Sequence, residues 1–326
     1  MHSKRQFLAT SAALAAGSLL PGLAGAQGSF PSRPIRIVVP NAAGGGADLT
    51  ARAVGQAIAG PLGQAVVIDN KPSAGGIVAG ETVARAEADG HTLLLISSGS
   101  AVSAALFKTL PFDTMKDFAP ISLLATFDLV IAVAENGRFK TLADMVSWAK
   151  ANPGKLSYGS PGLGTPHHLA TELLAQKMGV KMTHAPYRGA GPAMLDVIGG
   201  QIPFMLVDSA AGLPHINAGK VRAIGVASAQ RLKSLPRTPT LIEQGVAGFE
   251  AFAWQGLVAP RGTDDATIQA WSKTLQETLK TPAVQARFEA LALEPLPSTP
   301  EQMREFWLAE KKRWGEVIRT AGITLD

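Results

Sequence analysis

Two stretches of the sequence indicate how the chain folds: PIRIVVPNAAGGGADL at residues 34–49 and YGSPGLGTPHHL at residues 158–169. In each, a short apolar run ends in a glycine-rich loop, and a helical pattern follows the loop. The second helix has a natural N-cap in Thr165 and a natural first residue in Pro166. A strand, a loop and a helix in this order form the repeating unit of α/β proteins.

Short runs rich in valine, isoleucine and leucine recur along the chain and alternate with helical patterns, which is typical of an α/β protein with parallel sheets. The runs predict strands at residues 35–40, 66–70, 92–97, 129–134, 156–159, 182–187, 204–208, 221–227 and 252–259. Capping residues at Thr141, Thr263 and Thr299 predict further helices. The last two helices carry tryptophans, which we expect to be core anchors.

The strand and helix units fall into two groups, before and after about residue 126. The helices at the C-terminal end lack strands of their own, so we expect them to pack on the first group. The length of 326 residues is also one at which a single core usually divides. The predicted organisation is a discontinuous lobe 1 (27–126 and 252–326) and a lobe 2 (127–251), joined by two crossing strands.

The composition excludes several classes of protein. A hydrophobic share of 46% excludes intrinsic disorder, and a charged share of 17% excludes a coiled coil. The chain has no cysteine, which excludes a disulfide scaffold, cysteine-ligated zinc, iron–sulfur clusters and a thiol nucleophile. The small positive charge and the absence of a Lys/Arg-rich run give no support to nucleic-acid binding.

The first 26 residues are typical of a secretory signal peptide. Lys4 and Arg5 precede an apolar stretch, and a small-x-small cleavage site ends at Ala26. The Lys-Arg pair also resembles a twin-arginine signal with lysine in place of the first arginine, so the export route stays open. We expect a mature chain that begins at Gln27, carries a formal charge of +3 instead of +5, and is periplasmic.

The two glycine loops predict a site for an anion. Backbone N–H groups at the start of a helix attract negative charge, and glycine allows a ligand to approach the main chain closely. One such loop is weak support, because ordinary strand-to-helix turns are also rich in glycine. Two loops, one in each lobe, predict two anion-receptive helix ends on either side of an interlobe cleft.

Motifs for catalysis are absent from the sequence. The first loop does not continue as G-x-G-x-x-G, no Gly-Lys-Ser/Thr follows a glycine loop, and Ser160 does not stand in G-x-S-x-G. The adjacent His167 and His168 diverge around a helix, and His184 and His215 lack ligand-like spacing. We therefore expect a binding protein without catalytic residues, metal or cofactor.

Many ordered motifs resemble one family along almost the whole mature chain. They are PSRPIRIVVP (31–40), GGGAD (44–48), DNKPSAGG (69–76), ADGHTLL (88–94), LPFD (110–113), KDFAP (116–120), YGSPGLG (158–164) and PYRG (186–189). The chain is similar to the Bug family of extracytoplasmic solute receptors, the substrate-binding components of tripartite tricarboxylate transporters.

The resemblance implies a type II periplasmic-binding-protein fold, in which two α/β lobes close on a small organic anion. It implies that main-chain amides of the two loops and ordered water hold the ligand carboxylate, without an arginine clamp. Arg188 is accordingly assigned to structure or to the rim of the cleft. The implied partners are a small organic carboxylate and the permease subunits of a tripartite transporter, and we expect a monomer.

The site residues carried over from the family lie in the two loops, and strand ends add others. His168 either touches the ligand or orients the second loop; Asp208 is a candidate for a ligand amine, hydroxyl or bridging water, since ligands collect at the carboxyl ends of strands. The complete predicted set is Ala43, Gly44, Gly45, Gly46, Asp48, Ser97, Ser98, Ser160, Gly162, Leu163, Gly164, Thr165, His168 and Asp208.

The first loop departs from the family pattern. Asn41 stands where the family carries an aromatic residue and Ala43 where it carries proline, so the ligand preference is open. Two alternatives to transport also stay open: a sensor that passes the bound state to a membrane kinase, and a periplasmic enzyme that uses the same cleft.

Overall fold

The computed structural model describes residues 30–107 and 109–321. The predicted signal peptide, residues 1–26, lies outside the described residues. No helix within the described ranges is both long enough and apolar enough to cross a membrane.

The described chain alternates strands and helices along almost its entire length. The strands are β1 (Ile35–Val39), β2 (Val66–Asn70), β3 (Thr92–Ser97), β4 (Phe118–Ala134), β5 (Leu156–Ser160), β6 (Met182–Pro186), β7 (Phe204–Asp208), β8 (Val221–Val226), β9 (Phe252–Pro260) and β10 (Glu294–Pro295). The helices are α1 (Gly46–Leu62), α2 (Ile77–Ala84), α3 (Ser98–Leu106), α4 (Leu142–Ala151), α5 (Pro166–Met178), α6 (Ala190–Ile198), α7 (Ser209–Asn217), α8 (Asp265–Leu279), α9 (Pro282–Ala290) and α10 (Pro300–Ala321).

The strands pair in the order β2-β1-β3-β9-β4-β7-β5-β6, and β8 and β10 also pair with β4. The 17-residue β4 belongs to both lobes. Its first part, Phe118 to Asp128, pairs with β9, and its second part, from Leu129 onward, pairs with β7 and β8. The type II periplasmic-binding-protein fold is thereby confirmed, and the exact lobe boundaries stay a prediction.

Parallel pairing brings the glycine loops to the carboxyl edges of the two halves of the sheet. In lobe 1, β1 runs parallel to β2 and β3. In lobe 2, β5 runs parallel to β6 and β7. The loops after β1 and β3 therefore emerge from one edge of lobe 1, and the loops after β5, β6 and β7 emerge from one edge of lobe 2.

The C-terminal helices pack on lobe 1, as predicted. Helix α8 contacts β4 and α1, and helix α10 contacts α3 and β4. Trp271, Trp307 and Trp314 are buried, and the indole N–H of Trp314 donates a hydrogen bond to Glu310. The prediction that these tryptophans are core anchors is confirmed.

The nine predicted strands lie within one residue of their predicted limits, with one exception, and the two-residue β10 was not predicted. Strand β4 begins at Phe118, whereas the sequence predicted a strand from residue 129. One of the polar residues in its first half, Ser122, has a distant partner: the Ser298 N–H donates to the Ser122 hydroxyl, and the neighbouring Leu123 N–H donates to the Ser298 hydroxyl.

A carboxyl group lies on β4 where the chain crosses between the lobes. Asp128 pairs in register with Phe252 of β9. Burial and the neighbouring charges of Glu294 and Glu250 raise the pKa of Asp128 from 3.8 to about 6. The crossing segment therefore carries a carboxyl group that titrates above the usual range of aspartate.

Candidate ligand-binding site

A cavity of about 560 Å³ lies between the lobes, at the edges where the glycine loops emerge. Its lobe 1 wall comes from the segments after β1, β2 and β3, and its lobe 2 wall comes from the segments after β5 and β6. The lining residues are Pro40, Asn41, Ala42, Pro72, Ser73, Gly75, Gly76, Ser97, Gly99, Ser100, Ser103, Pro161, Gly162, Leu163, Gly164, Thr165, Pro186, Tyr187, Arg188 and Gly189.

A smaller recess of about 60 Å³ shares part of this wall. Its own polar side chains come from His167, Asp208, Ser98 and Gln255, which are all buried. The Ser98 hydroxyl accepts a hydrogen bond from the Trp254 N–H at 2.9 Å and so ties α3 to β9.

The start of α1 is occupied by a carboxylate of the protein itself. The N–H of Gly46, the first residue of α1, donates to Oδ2 of Asp208 at 3.1 Å. The other oxygen of Asp208 accepts from Nε2 of His167 at 2.7 Å. The sequence predicted a helix end open to an external anion. Asp208 of lobe 2 binds one N–H of that end, and the binding of an external anion there stays a prediction.

The rest of the first loop is held by Asp48. Oδ2 of Asp48 accepts hydrogen bonds from the Gly44 N–H and from Nε of Arg52, both at 2.9 Å. Burial raises the pKa of Asp48, but hydrogen bonds from Arg52, Gly44 and Asn70 and the charge of Arg52 together outweigh it and leave the pKa below its ordinary value. Asp48 therefore fixes the shape of the loop from outside the cavity wall.

Most N–H groups of the second loop donate to acceptors in the loop itself or in the helix that follows it. The Gly162 N–H donates to the Ser160 hydroxyl and the Gly164 N–H donates to Nδ1 of His168, both at 3.2 Å. The Thr165 hydroxyl accepts from the His168 N–H, as the predicted N-cap should. Pro161 has no N–H. Among the described residues, the Leu163 N–H is the amide of this loop for which no protein acceptor is found.

Two histidines behind this loop, His168 and His184, are neutral near pH 7 and support the loop structurally. The rings of His168 and His184 stack with centroids 3.9 Å apart, and Ser160 Oγ lies 2.6 Å from His184 Nε2. Burial lowers the pKa of His168 to about 4 and that of His184, beside His168, to about 3. Neutral His168 can accept the Gly164 N–H, so it orients the loop, one of the two roles foreseen for it.

The structure brings most of the predicted site residues together. Nine line the cavity or its recess: Gly45, Gly46, Ser97, Ser98, Gly162, Leu163, Gly164, Thr165 and Asp208. Five lie behind or beside the walls: Ala43, Gly44, Asp48, Ser160 and His168. Contact of any of them with a ligand stays a prediction.

Sequence reasoning missed several residues of the cavity wall. Ser100 and Ser103 lie one turn apart on α3, a spacing that follows directly from the predicted end of β3. Ser73 and Tyr187 stand in motifs that carried the family resemblance, but no pattern assigned them to the cleft, and Arg188 was assigned to structure or to the rim of the cleft. Only the pairing of the two lobes brings them to one cavity.

The chemistry of the cavity is that of a site for an anion. Among the described residues that line the larger cavity, Arg188 is the one that carries a charge. Six hydroxyl groups accompany it, from Ser73, Ser97, Ser100, Ser103, Thr165 and Tyr187. The hydroxyls of Ser103, Thr165 and Tyr187 already donate to protein oxygens. A carboxylate can accept hydrogen bonds from the other three, whereas an ammonium group would meet no acidic side chain in this wall.

Within the described part of the chain, no group of three or more His, Asp or Glu residues is arranged to hold a metal ion.

Two α/β lobes that share a crossing strand and enclose a polar cavity define the class of two-lobed solute-binding proteins. Residues 50–323 match the model of the tripartite tricarboxylate transporter family receptor. The chain therefore belongs to this family of receptors, whose members are periplasmic solute-binding proteins.

Relatives and solved structures agree with this assignment. Protein BugT of Bordetella pertussis is 34% identical over 299 residues, which cover 91% of this chain and 92% of BugT. The structure of R. palustris Rpa4515 with adipate has a TM-score of 0.87 and 31% identity, and covers 90% of this chain and 99% of that one. MatC from Rhodopseudomonas palustris with bound malate has a TM-score of 0.81 and 32% identity, with coverages of 89% and 100%.

Proposed function

We propose that the protein is an extracytoplasmic receptor that captures a small organic carboxylate between its lobes and delivers it to the permease subunits of a tripartite tricarboxylate-type transporter. The observation that carries the proposal is the interlobe cavity, whose described wall combines hydroxyl groups with one cationic residue and no acidic residue. Such a wall favours an anion over a neutral or cationic solute.

The size of the cavity supports a small organic ligand. A volume of about 560 Å³ lies within the range of roughly 300–1,000 Å³ that is usual for small-molecule sites. Adipate and malate, which are bound to two similar proteins, are carboxylates of suitable size and are the natural first probes.

The remaining parts of the proposal follow from receptor function. Residues 1–26 direct export to the periplasm, and the mature chain acts as a monomer. Lobe 1 (27–126 and 252–326) and lobe 2 (127–251) close on the ligand as rigid bodies, and the cleft carries out no chemistry. The closed form presents the ligand to the membrane subunits.

A thermal-shift screen tests the proposal. The mature chain is mixed with mono-, di- and tricarboxylates, amino acids, aromatic acids and neutral sugars, because a ligand that binds only the folded state raises the melting temperature by mass action. We expect at least one carboxylate to raise it and the sugars to have no effect. A response to sugars alone would contradict the proposal.

A further inference from the structure

A further pocket, which we call the inner pocket, lies inside lobe 1 next to the interlobe cavity. Its volume is about 10 Å³. The residues that line both the inner pocket and the cavity are Pro40, Gly75, Gly76, Ser100 and Ser103. The inner pocket therefore adjoins the ligand cavity across a wall of mostly small side chains.

The deeper walls of the inner pocket are largely apolar. Strand β3 contributes Leu94 and Ile96. The rings of Phe112 and Phe118 also line the pocket and pack edge to face, with centroids 5.6 Å apart. Purely apolar pockets stay empty of water, so what the inner pocket holds depends on the few polar groups that reach it.

The first of these polar groups is the indole of Trp307, on helix α10, which lines the inner pocket. Trp307 is 1% exposed, and its indole N–H has no acceptor among the described residues. The other buried tryptophans all donate their indole N–H to a protein oxygen: Trp254, Trp271 and Trp314. Because a buried N–H without an acceptor is costly, we infer that the Trp307 N–H binds an acceptor in the pocket that it lines.

Hydroxyl groups supply the remaining polar atoms, from Ser100, Ser103 and Thr114. The Ser103 hydroxyl donates to the Gly99 carbonyl at 2.8 Å and keeps a lone pair on its oxygen. The Ser100 hydroxyl accepts from the Ser97 N–H at 3.3 Å and keeps its proton. Thr114 is buried, and none of the hydrogen bonds among the described residues uses its hydroxyl. Together with the indole N–H, these groups provide the two to four hydrogen bonds that a buried oxygen usually makes.

We propose that the inner pocket is a subsite for a single oxygen atom, which accepts a hydrogen bond from the indole N–H of Trp307 and bonds to the hydroxyl of Thr114. The volume of about 10 Å³ suits one such group, since a water molecule needs roughly 10–15 Å³. Two sources have this chemistry: a water molecule, and an oxygen at the far end of a ligand in the adjoining cavity. The second source rests on the proposed receptor function, and in that case the subsite favours ligands long enough to reach it.

Two crystal structures of the mature protein test the subsite. One is free of ligand, and the other contains whichever of succinate, adipate and suberate binds most tightly. We expect an oxygen atom in the inner pocket within about 3.2 Å of Nε1 of Trp307 in both structures. A pocket that is empty in both, or an indole N–H that donates to a protein oxygen, would overturn the proposal.

Calorimetric titration with the same three dicarboxylates, which differ in chain length, separates the two sources. The variants are Trp307→Phe, which removes the indole N–H, and Thr114→Val, which removes the hydroxyl at a smaller cost in packing. Thr114→Ser is the control that keeps the hydroxyl, and Trp148→Phe is the control for the aromatic change, since Trp148 lines neither the cavity nor the inner pocket. Circular dichroism checks that each variant is folded.

If a ligand oxygen fills the subsite, Trp307→Phe and Thr114→Val should weaken the longest dicarboxylate that binds by at least about 10-fold, because a hydrogen bond to a charged group is lost. Shorter dicarboxylates should lose less, and both controls should bind as the wild type does. If water fills the subsite in both structures, the preference for chain length should be the same in all variants. Equal losses at every chain length would exclude a ligand oxygen from the inner pocket.

The outcomes also separate the subsite from the receptor function. A protein that binds carboxylates but has an empty inner pocket keeps its function and loses the subsite. A protein that binds none of the carboxylates loses the proposed function, and its ligand-free structure alone then decides the subsite, because an empty pocket there overturns it.

Discussion

Substituting Gly46 by alanine should separate the two lobes at the point where Asp208 meets α1. A Cβ on Gly46 would lie 2.5 Å from Oδ2 of Asp208 and 3.0 Å from Cζ of Phe127. Both neighbours are buried, and His167 holds Asp208 from the other side at 2.7 Å. Because neither can retreat easily, we expect the start of α1 to move away from lobe 2.

The magnitude follows from the contact that is lost. The Gly46 N–H donates to a carboxylate across the lobe boundary, and a hydrogen bond to a charged group contributes about 1.5–3 kcal/mol. If ligand binding needs the closed arrangement, Gly46→Ala should weaken carboxylate binding by roughly 10- to 150-fold. The free energy of unfolding should change less than the affinity, because each lobe keeps its own core.

Calorimetry on the folded variant measures the loss, and small-angle scattering measures whether the ligand-bound form becomes less compact. Gly60→Ala is the matched control, because it adds the same atom to the same helix at a position where nothing lies within 4 Å. Gly46→Ala with wild-type affinity and an unchanged scattering profile would refute the interlobe role of this contact.

Three further predictions concern the hinge region, the second lobe contact and export. Gly189→Ala forces a side chain into a backbone with φ of +128° and places its Cβ 2.9 Å from that of Ala42; calorimetry should show weaker ligand binding, whereas Gly200→Ala, with φ of +74° and nothing within 4 Å, should lose stability only. Asp128→Asn should stabilise the fold above pH 6, because the pKa of Asp128 is raised from 3.8 to about 6 and wild-type stability therefore falls as pH rises through that window. Denaturant unfolding of the wild type and the variant at several pH values checks this. If the difference in their free energies of unfolding were as large below pH 3.8 as above pH 6, the prediction would be contradicted. Amino-terminal sequencing of exported protein should begin at Gln27, and an intact Met1 would contradict cleavage after Ala26.

The strands could be predicted from the sequence because most are short, apolar and bounded by clear turns. The exception is β4, whose first half contains Ser122, Thr126 and Asp128. The Ser122 hydroxyl accepts a hydrogen bond from the N–H of Ser298, 176 residues away. No local pattern in the sequence reveals such a partner. The sequence therefore predicts the half of β4 that is continuously apolar and misses the half that depends on tertiary hydrogen bonds.

The loops of the site could also be predicted, but the use of their N–H groups could not. Glycine and a helix start indicate that amides are available, which is correct as local chemistry. Asp208, the acceptor at the start of α1, lies 162 residues from Gly46 and becomes its neighbour only when the chain is folded. His168 is only four residues from Gly164, but no sequence pattern shows that its ring accepts the loop N–H. Arg188 likewise reaches the cavity wall only in the folded chain, because the turn after β6 packs beside the second loop.

The most direct test of the account is a crystal structure of the mature protein with the tightest carboxylate from the thermal-shift screen. We predict density for the ligand in the interlobe cavity, between the segment at Asn41 and Ala42 and the loop from Pro161 to Thr165, with a carboxylate within hydrogen-bond distance of the cavity wall. A ligand bound outside this cavity, with the cavity filled only by solvent, would contradict the account.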